Sequence, residues 1–410
     1  MRIAFVSARP PFPLDSGGRI RTFHLLRQIS RVHAVTLVTA TDGPESEAAL
    51  SSLGRSIPDI TVRRVRVRSQ KTRLARLLRA ARSPIDRLPY TWAAYRNRHF
   101  RANLAAALAA EAYDLIHCDH IQVAYALSGL QRPPSVLNAH NIESVLARRV
   151  AEIERSRWKR NLVGWQCAKT VRAEIQAHRL VQQSIVVSEV DRAELERIAP
   201  GLSISVVPNG VDLEWFAGRA VTDPHTMAFV GAMDWLPNVD AVQFFVREVF
   251  PRIRARVPRA QFWAVGRHPS PSLMRACAVD GVHLTGTVDD VRPYVARAQL
   301  VVVPLRIGGG TRLKILEAWA MRKAVLSTAI GAEGLPATDG AGIELADTPE
   351  DLAARAVAVM SDPERALRVG ARGRRIVEEH FSWPRVADRL LGAYETTLAT
   401  ARARGLASHV

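Results

Sequence analysis

Short, continuously apolar runs punctuate this 410-residue chain, and helical patterns fill the spaces between them. In the first half the runs are "RIAFVSA", "AVTLVTA", "DLIHC", "SVLNAH" and "QSIVVS", with "ITVRRVRV" as a more polar member. The second half restarts with "ISVVPNGVD" and continues through "TMAFVGAM", "AQFWAVG", "VHLTG", "LVVVPL", "AVLST" and "GIELA". A strand that is apolar on both faces must be covered on both, and intervening helices let successive strands run parallel. The rhythm predicts an α/β chain of two doubly wound, Rossmann-like domains in series facing each other across a cleft. The length agrees, because single cores rarely grow this large. Helices are expected near Arg21–Ser30 and Phe100–Glu111, over much of Ile142–Val181, and near Asp240–Arg256, Val291–Ala298, Thr311–Met321, Pro349–Met360 and Pro363–His380. Pro-Gly and Pro-Asn-Gly signals between Pro200 and Asp212 interrupt the periodicity, so the first domain is taken as 1–205 and the second as 206–383.

Composition narrows the classes. A hydrophobic content of 48% with 23% charged residues describes a globular chain, and no apolar run approaches the roughly 20 residues that span a bilayer. "MRIAFVSARPPFP" reads as a first buried strand and lacks the longer apolar region of a signal peptide. Cys118, Cys167 and Cys277 are three, widely spaced and without zinc-type spacing, which fits reduced thiols and a cytoplasmic setting. The net charge of +18 is concentrated: residues 63–101 hold 13 Lys and Arg against one acid, Asp86. Within that segment Leu74, Leu77, Leu78 and Ala81 fall at helical spacing among Lys71, Arg73, Arg76, Arg79 and Arg82, and Tyr90, Trp92 and Tyr95 follow. Three readings fit: a basic amphipathic helix on the anionic inner face of a membrane, a docked helix with a solvated basic face, or a nucleic-acid stripe.

The stretch "PLRIGGGTRLKILEAWA", Pro304–Ala320, follows an apolar strand and opens a helix. In open parallel sheets ligands bind beyond the carboxyl ends of the strands. Glycines allow close backbone approach, and a helix N-terminus favours an anion. Arg306, Arg312 and Lys314 add cations, so the stretch reads as a diphosphate site. It is not a Walker loop, whose spacing occurs nowhere in the chain. Gly310, Lys314, Glu317 and Met321 share one helix face, and a carboxylate one turn below the phosphates suits a ribose diol. The plainer alternative is a surface loop in which Glu317 pairs with Lys314. A second glycine loop, "PPFPLDSGGRIRTFHLL", places Gly17, Gly18 and Arg19 after the first strand. "DLIHCDHIQ" sets His117, Asp119 and His120 at the end of another, and "NAHNIES" sets His140 and Asn141 at the next, where His140 either lines a site or caps a helix.

The "SGG" loop, "IVVSEVDRAEL", "VVPNGVDLEWF", "FVGAMDWLPNVDAV", "LTGTVDDVRPYVARAQLVVVPLRIGGGTRLKILEAWA" and "FSWPRVADRLLGAYE" together resemble the family-four, or group 1, retaining glycosyltransferases of GT-B architecture, across nearly the whole chain. Members acting in bacterial exopolysaccharide assembly are the most similar. The resemblance implies a nucleoside-diphosphate-sugar donor held by the second domain, and a glycan or lipid-linked saccharide as acceptor. It implies Gly231, Gly309, Gly310 and Thr311 beside the donor, Glu317 on the ribose, Lys314 and Arg306 on the diphosphate, and Thr287, Val288 and Arg292 near the base. It places Gly17 and Gly18 on the donor, His120 and Asp119 at the donor sugar, and His140 and Asn141 on the acceptor side. It also implies a last helix, about 384–400, returning to the first domain. Two departures matter: Gly309 stands where many relatives carry a second glutamate, and Ala232 and Asn238 stand where they carry an arginine and a lysine.

The family chemistry uses no cofactor, and without an Asp-x-Asp pair a metal-bridged diphosphate is not expected. Two rivals remain: a nucleotide-sugar epimerase of the same fold, and a nucleic-acid-binding module using the basic segment. The first lacks a recognisable acid and base pair, and no nucleic acid is expected as partner.

Overall fold

The computed structural model describes residues 1–67, 83, 86, 88–90, 92, 98–130, 132–153, 156–217, 222–336 and 338–403. The chain divides into two compact units, Met1–Pro208 with the chain from Ala387 onward, and Asn209–Val386.

The first unit holds a seven-stranded sheet built from β1 (Arg2–Ser7), β2 (Ala34–Thr41), β3 (Thr61–Arg66), β4 (Leu115–Asp119), β5 (Ser135–Asn138), β6 (Gln183–Val186) and β7 (Ile204–Val206). Their order is β3-β2-β1-β4-β5-β6-β7, and every neighbouring pair is parallel. The central strands β4 and β5 are buried along their whole length, while the edge strands β3 and β7 are half exposed. Continuous apolar character thus marks the middle of the sheet, and the arginines of "TVRRVR" belong to an edge. Ile204–Val206, which the sequence rhythm gives to the second half, pairs with β6 and closes this first sheet. The last helix, Trp383–Ala403, begins in the second unit and continues in the first, where Tyr394 Oη lies 2.7 Å from His117 Nδ1 and Thr397 Oγ1 donates to Gln183 Oε1 at 2.6 Å.

The leucine stripe of the basic segment, its flanking cations and Tyr95 lie outside the described residues. Trp92, read from sequence as an interfacial aromatic, is a core residue 2% exposed, with its ring 6.1 Å from that of Tyr125.

The second unit carries a six-stranded sheet, β8 (Thr226–Val230), β9 (Gln261–Val265), β10 (Val282–Leu284), β11 (Leu300–Val303), β12 (Ala324–Ser327) and β13 (Glu344–Leu345), in the order β10-β9-β8-β11-β12-β13. Helices start where their residues allow: Ser188, Thr348 and Asp362 each accept a backbone N–H three residues on. Pro349 and Pro363 occupy first-turn positions that need no donor. The expected helix over Asp240–Arg256 is interrupted by a wider turn at Phe245–Val249. Pro251 lacks the N–H that an unbroken helix would use there, and the wider turn absorbs the gap.

Parallel strands end at one edge, where the loops after β8 and β9 touch. Gly231 N–H donates to Val265 O at 2.9 Å, and a Cβ on Gly266 would sit 1.8 Å from Gly231 O. Gly266→Ala should therefore lower the stability of the second unit by about 1–3 kcal/mol in urea unfolding. Gly392→Ala, where a Cβ meets nothing within 4 Å inside a helix, should gain about 0.5–1 kcal/mol. Equal effects would contradict this packing.

Candidate active site

In the second unit, the loop after β11 runs from Pro304 through the glycine triplet, and the helix begins at Leu313, two residues later than the sequence spacing suggests. Gly310 takes φ +68°, which glycine adopts without penalty. Arg312 does not face outward. It is 7% exposed; its Nη1 donates to the carbonyls of Gly309 and Gly310, and its Nη2 donates to Ile330 O at 3.2 Å. The guanidinium fixes the loop from inside. Thr311 is likewise buried, and its carbonyl accepts from Asn209 Nδ2 at 3.1 Å.

Arg306 is partly exposed but not a free cation. Its Nη2 and Nε bond Asp240 at 2.6 and 3.0 Å, and its guanidinium lies 4.6 Å from the Phe244 ring centre. Reading Arg306 as an available cation therefore needs correcting: a ligand would have to compete with Asp240.

Lys314 differs. Its Nζ donates to Asn238 Oδ1 at 2.9 Å and stands 3.8 Å from the centre of the Phe229 ring, and a Cβ on Gly231 would meet that Nζ at 2.9 Å. Among the described residues no carboxylate forms an ion pair with it. Burial is the main cause that lowers its pKa to about 7, with the charge of Arg312 adding to the effect. One turn on, burial raises Glu317 to about 7 against the opposing pull of Lys314. The Glu317 carboxylate has no hydrogen-bond donor among the described residues.

Farther along the edge, Thr287 is exposed and Val288 half-buried. Arg292 holds Asp290 at 2.7 Å, donates to Trp215 O at 3.0 Å and stacks 3.7 Å from the centre of the Trp215 indole. Trp215 and Trp235 are exposed aromatics that the sequence reading did not single out.

In the first unit the ends of β4 and β5 meet the N-terminus of helix Gly17–Ile29. Asp119 is fully buried. Its Oδ1 accepts from Asn138 Nδ2 and His140 Nε2, each at 2.8 Å, and its Oδ2 accepts from Thr22 Oγ1 at 2.5 Å and lies 3.1 Å from His120 Nδ1, which hydrogen-bonds the Asp119 main-chain carbonyl at 2.8 Å. Burial opposes its ionisation, but His140, His120 and His117 outweigh that and hold it well below the usual carboxylate range. Placed so, Asp119 can orient its neighbours but cannot touch a ligand. Arg21 extends the network, donating to Asn138 Oδ1 at 2.9 Å and to the carbonyls of Val207 and Pro208 at 2.8 and 2.7 Å. Bonds to both ends of the Asn138 amide settle its orientation.

His120 and His140 stack with ring centres 4.1 Å apart, and a Cβ on Gly18 would lie 3.3 Å from each ring. A side chain here would have to push both imidazoles back by a few tenths of an ångström. His120 adopts φ +84°, a strained conformation for a residue with a side chain, and keeps its ring partly exposed. His140 is lowered to about 4, chiefly by burial. Asn141 begins the turn into helix Glu143–Ile153, whose first N–H groups donate to the Glu174 carboxylate at 2.7 and 3.1 Å. Gly17 opens the first helix, and Arg19 pairs with Asp15 at 2.9 Å. His117 is wholly buried, stacked on Phe5. Asp119, His120 and His140 bring one potential metal-ligand atom each within 4.8 Å, although in this structure His140 Nε2 hydrogen-bonds the Asp119 carboxylate and His120 Nδ1 its main-chain carbonyl.

Two family models match the sequence: glycosyltransferase family 4 over residues 16–215, and glycosyl transferases group 1 over residues 224–362. This chain belongs to the group 1 glycosyltransferases. The fold of this glycosyltransferase matches sucrose-phosphate synthase from Thermosynechococcus elongatus, with TM-score 0.71, 18% identity and coverage of 98% of this chain and 100% of that one. It also matches Anabaena HepE solved with UDP-glucose, with TM-score 0.69, 13% identity and coverage of 97% and 100%. The architecture is GT-B. In sequence the glycosyltransferase is 26% identical to the GDP-mannose-dependent monoacylated alpha-(1-6)-phosphatidylinositol monomannoside mannosyltransferase of Corynebacterium glutamicum, over 45% of this chain and 54% of that protein. It thus spans about half the length of that relative. It is 25% identical to the alpha-maltose-1-phosphate synthase of Mycobacterium tuberculosis, over 73% of this chain and 83% of that protein.

Two outcomes test these geometries. Asp119→Ala strands several buried donors and should cost the first unit about 3–5 kcal/mol in urea unfolding; a loss under about 1 kcal/mol would contradict the network. Lys314→Met should stabilise the protein below pH 7, where the lysine is charged both folded and unfolded and the fold bears its burial. Between pH 7 and 10.5 the unfolded lysine keeps a proton the folded one has lost, so wild-type stability rises with pH and the advantage, on the order of 2–4 kcal/mol, shrinks. A pH-independent difference would show that Lys314 is not desolvated.

Proposed function

We propose that the protein transfers a sugar, with retention of anomeric configuration and without a metal, from a nucleoside-diphosphate-sugar to a glycan or lipid-linked acceptor in cell-surface or exopolysaccharide synthesis. The placement of Lys314 carries this reading: its ammonium reaches Asn238 and Gly231 at the strand-end edge, with no carboxylate among the described residues paired to it. Asn238 stands where many relatives carry a lysine, so the charge absent from one helix is delivered to the same spot from another.

In this reading Gly309, Gly310, Thr311 and Lys314 face the diphosphate beside Gly231, Glu317 accepts from the ribose diol, and Thr287, Val288 and Arg292 flank the base. Arg306 joins on exchanging Asp240 for phosphate. Gly17 and Gly18 approach the donor, His120 contacts the donor sugar while Asp119 fixes its ring, and His140 and Asn141 serve the acceptor side. HepE was solved with UDP-glucose, which supports a nucleotide-sugar donor here. The bond from C1 to the leaving phosphate oxygen breaks with its electron pair going to the diphosphate. The acceptor oxygen bonds C1 on the same face, and its proton passes to a leaving phosphate oxygen. The protein's task is to stabilise the departing charge, which a preorganised cation in a desolvated pocket does well. No helix among the described residues is long and apolar enough to cross a membrane, and a lipid-linked acceptor would be met at an anionic surface, to which residues 63–101 contribute charge.

A neutral Lys314 at pH 8 must regain its proton beside a diphosphate. Calorimetry in two buffers of different ionisation enthalpy should show uptake approaching one proton per nucleoside diphosphate bound, and none with Lys314→Met. Lys314→Ala should slow transfer roughly ten- to a thousandfold. NMR of the product should show the donor's anomeric configuration. Interconversion of two nucleotide sugars without acceptor would instead identify an epimerase, and unchanged nucleoside-diphosphate affinity in Lys314→Met would remove Lys314 from the site.

A further inference from the structure

Helix Arg157–Arg179 exposes residues 158–162, 164 and 165 on its first turns. Trp158, Leu162 and Trp165 lie on them at i, i+4 and i+7, a single stripe, and are 67%, 49% and 39% exposed. Large apolar side chains aligned in this way on an exposed face mark an interaction surface. Cations surround the stripe. Lys159 Nζ lies 5.7 Å from the Trp158 ring centre, Lys169 Nζ lies 3.8 Å from that of Trp165, and Arg160 and Arg172 are exposed nearby. The helix's only acid, Glu174, is buried and turned to the N-terminus of helix Glu143–Ile153. The same helix also anchors the described part of the basic segment: Lys169 Nζ donates to Ser83 O and Asp86 O at 2.5 and 2.6 Å, Gln166 Nε2 donates to Ser83 Oγ at 2.9 Å, and Tyr90 N–H donates to Gln166 Oε1 at 3.2 Å.

We infer that this indole stripe docks the protein on an anionic lipid bilayer. Indole rings settle at the headgroup level, with an apolar body and a polar N–H, and flanking Lys and Arg add attraction to anionic lipid. Lys159, Lys169 and Arg172 stand on the same helix as the indoles, so one element offers both insertion and electrostatic attraction. The inference deepens the lipid-linked acceptor reading, yet docking needs no donor, so either can fail alone.

The full chain is sedimented with vesicles of phosphatidylcholine, alone or mixed with phosphatidylglycerol, without sugar donor. Binding is expected to the mixed vesicles and not to the neutral ones. The double variant Trp158→Ala, Trp165→Ala should lower partitioning at least about tenfold. Lys159→Glu with Arg172→Glu should weaken it comparably, as should raising the salt. These side chains are exposed, and unchanged helicity together with unchanged transfer to a soluble acceptor checks the fold. Undiminished binding by the tryptophan variant, or no binding by the wild type, overturns the inference. So does a wild-type dimer that the tryptophan variant dissolves, since the stripe would then join two copies of the chain.

Discussion

In a parallel sheet every strand ends at the same edge, and this constraint assembles each group of polar side chains described above. β8, β9 and β11 bring Gly231, Gly266 and the glycine triplet together although dozens of residues separate them in sequence. β4 and β5 do the same for Asp119, Asn138 and the two stacked histidines. Helices covering both faces protect the strands and leave the loops at the edge free to carry chemistry.

The two edges solve opposite electrostatic problems. Around Asp119 one buried carboxylate is surrounded by donors until its charge is fully accommodated, leaving a rigid block that presents an imidazole. Around Lys314 the solution is incomplete: an amide and an aromatic face are too little for an ammonium group largely shielded from water, and its proton is loosely held. Incompletely satisfied charge at the end of a parallel sheet is where a ligand of opposite sign gains most.

Much of this was legible in the residues. Continuous apolar runs specify central parallel strands, and the two-domain α/β fold follows from their repetition. Edge strands were harder, since Ile204–Val206 is too short for its pattern to say which sheet it joins. The glycine triplet before a helix announced itself, but the orientation of its cations did not. Arg312 turns inward because Gly309, Gly310 and Ile330 offer carbonyls that exist only in the folded loop, and Arg306 finds Asp240 from 66 positions away. Trp158, Leu162 and Trp165 were missed for a different reason. At helical spacing an exposed apolar stripe is indistinguishable from a core-facing one until the neighbours are known.

The inward turn of Arg312 changes what three consecutive glycines mean. In an unfolded chain they sample more backbone states than any other tripeptide, and a loop left in that condition would have to freeze each time something bound. A guanidinium held by two of their carbonyls freezes them once, as the chain folds. The loop is already a fixed surface, and a ligand that settled there would meet no conformational toll from it.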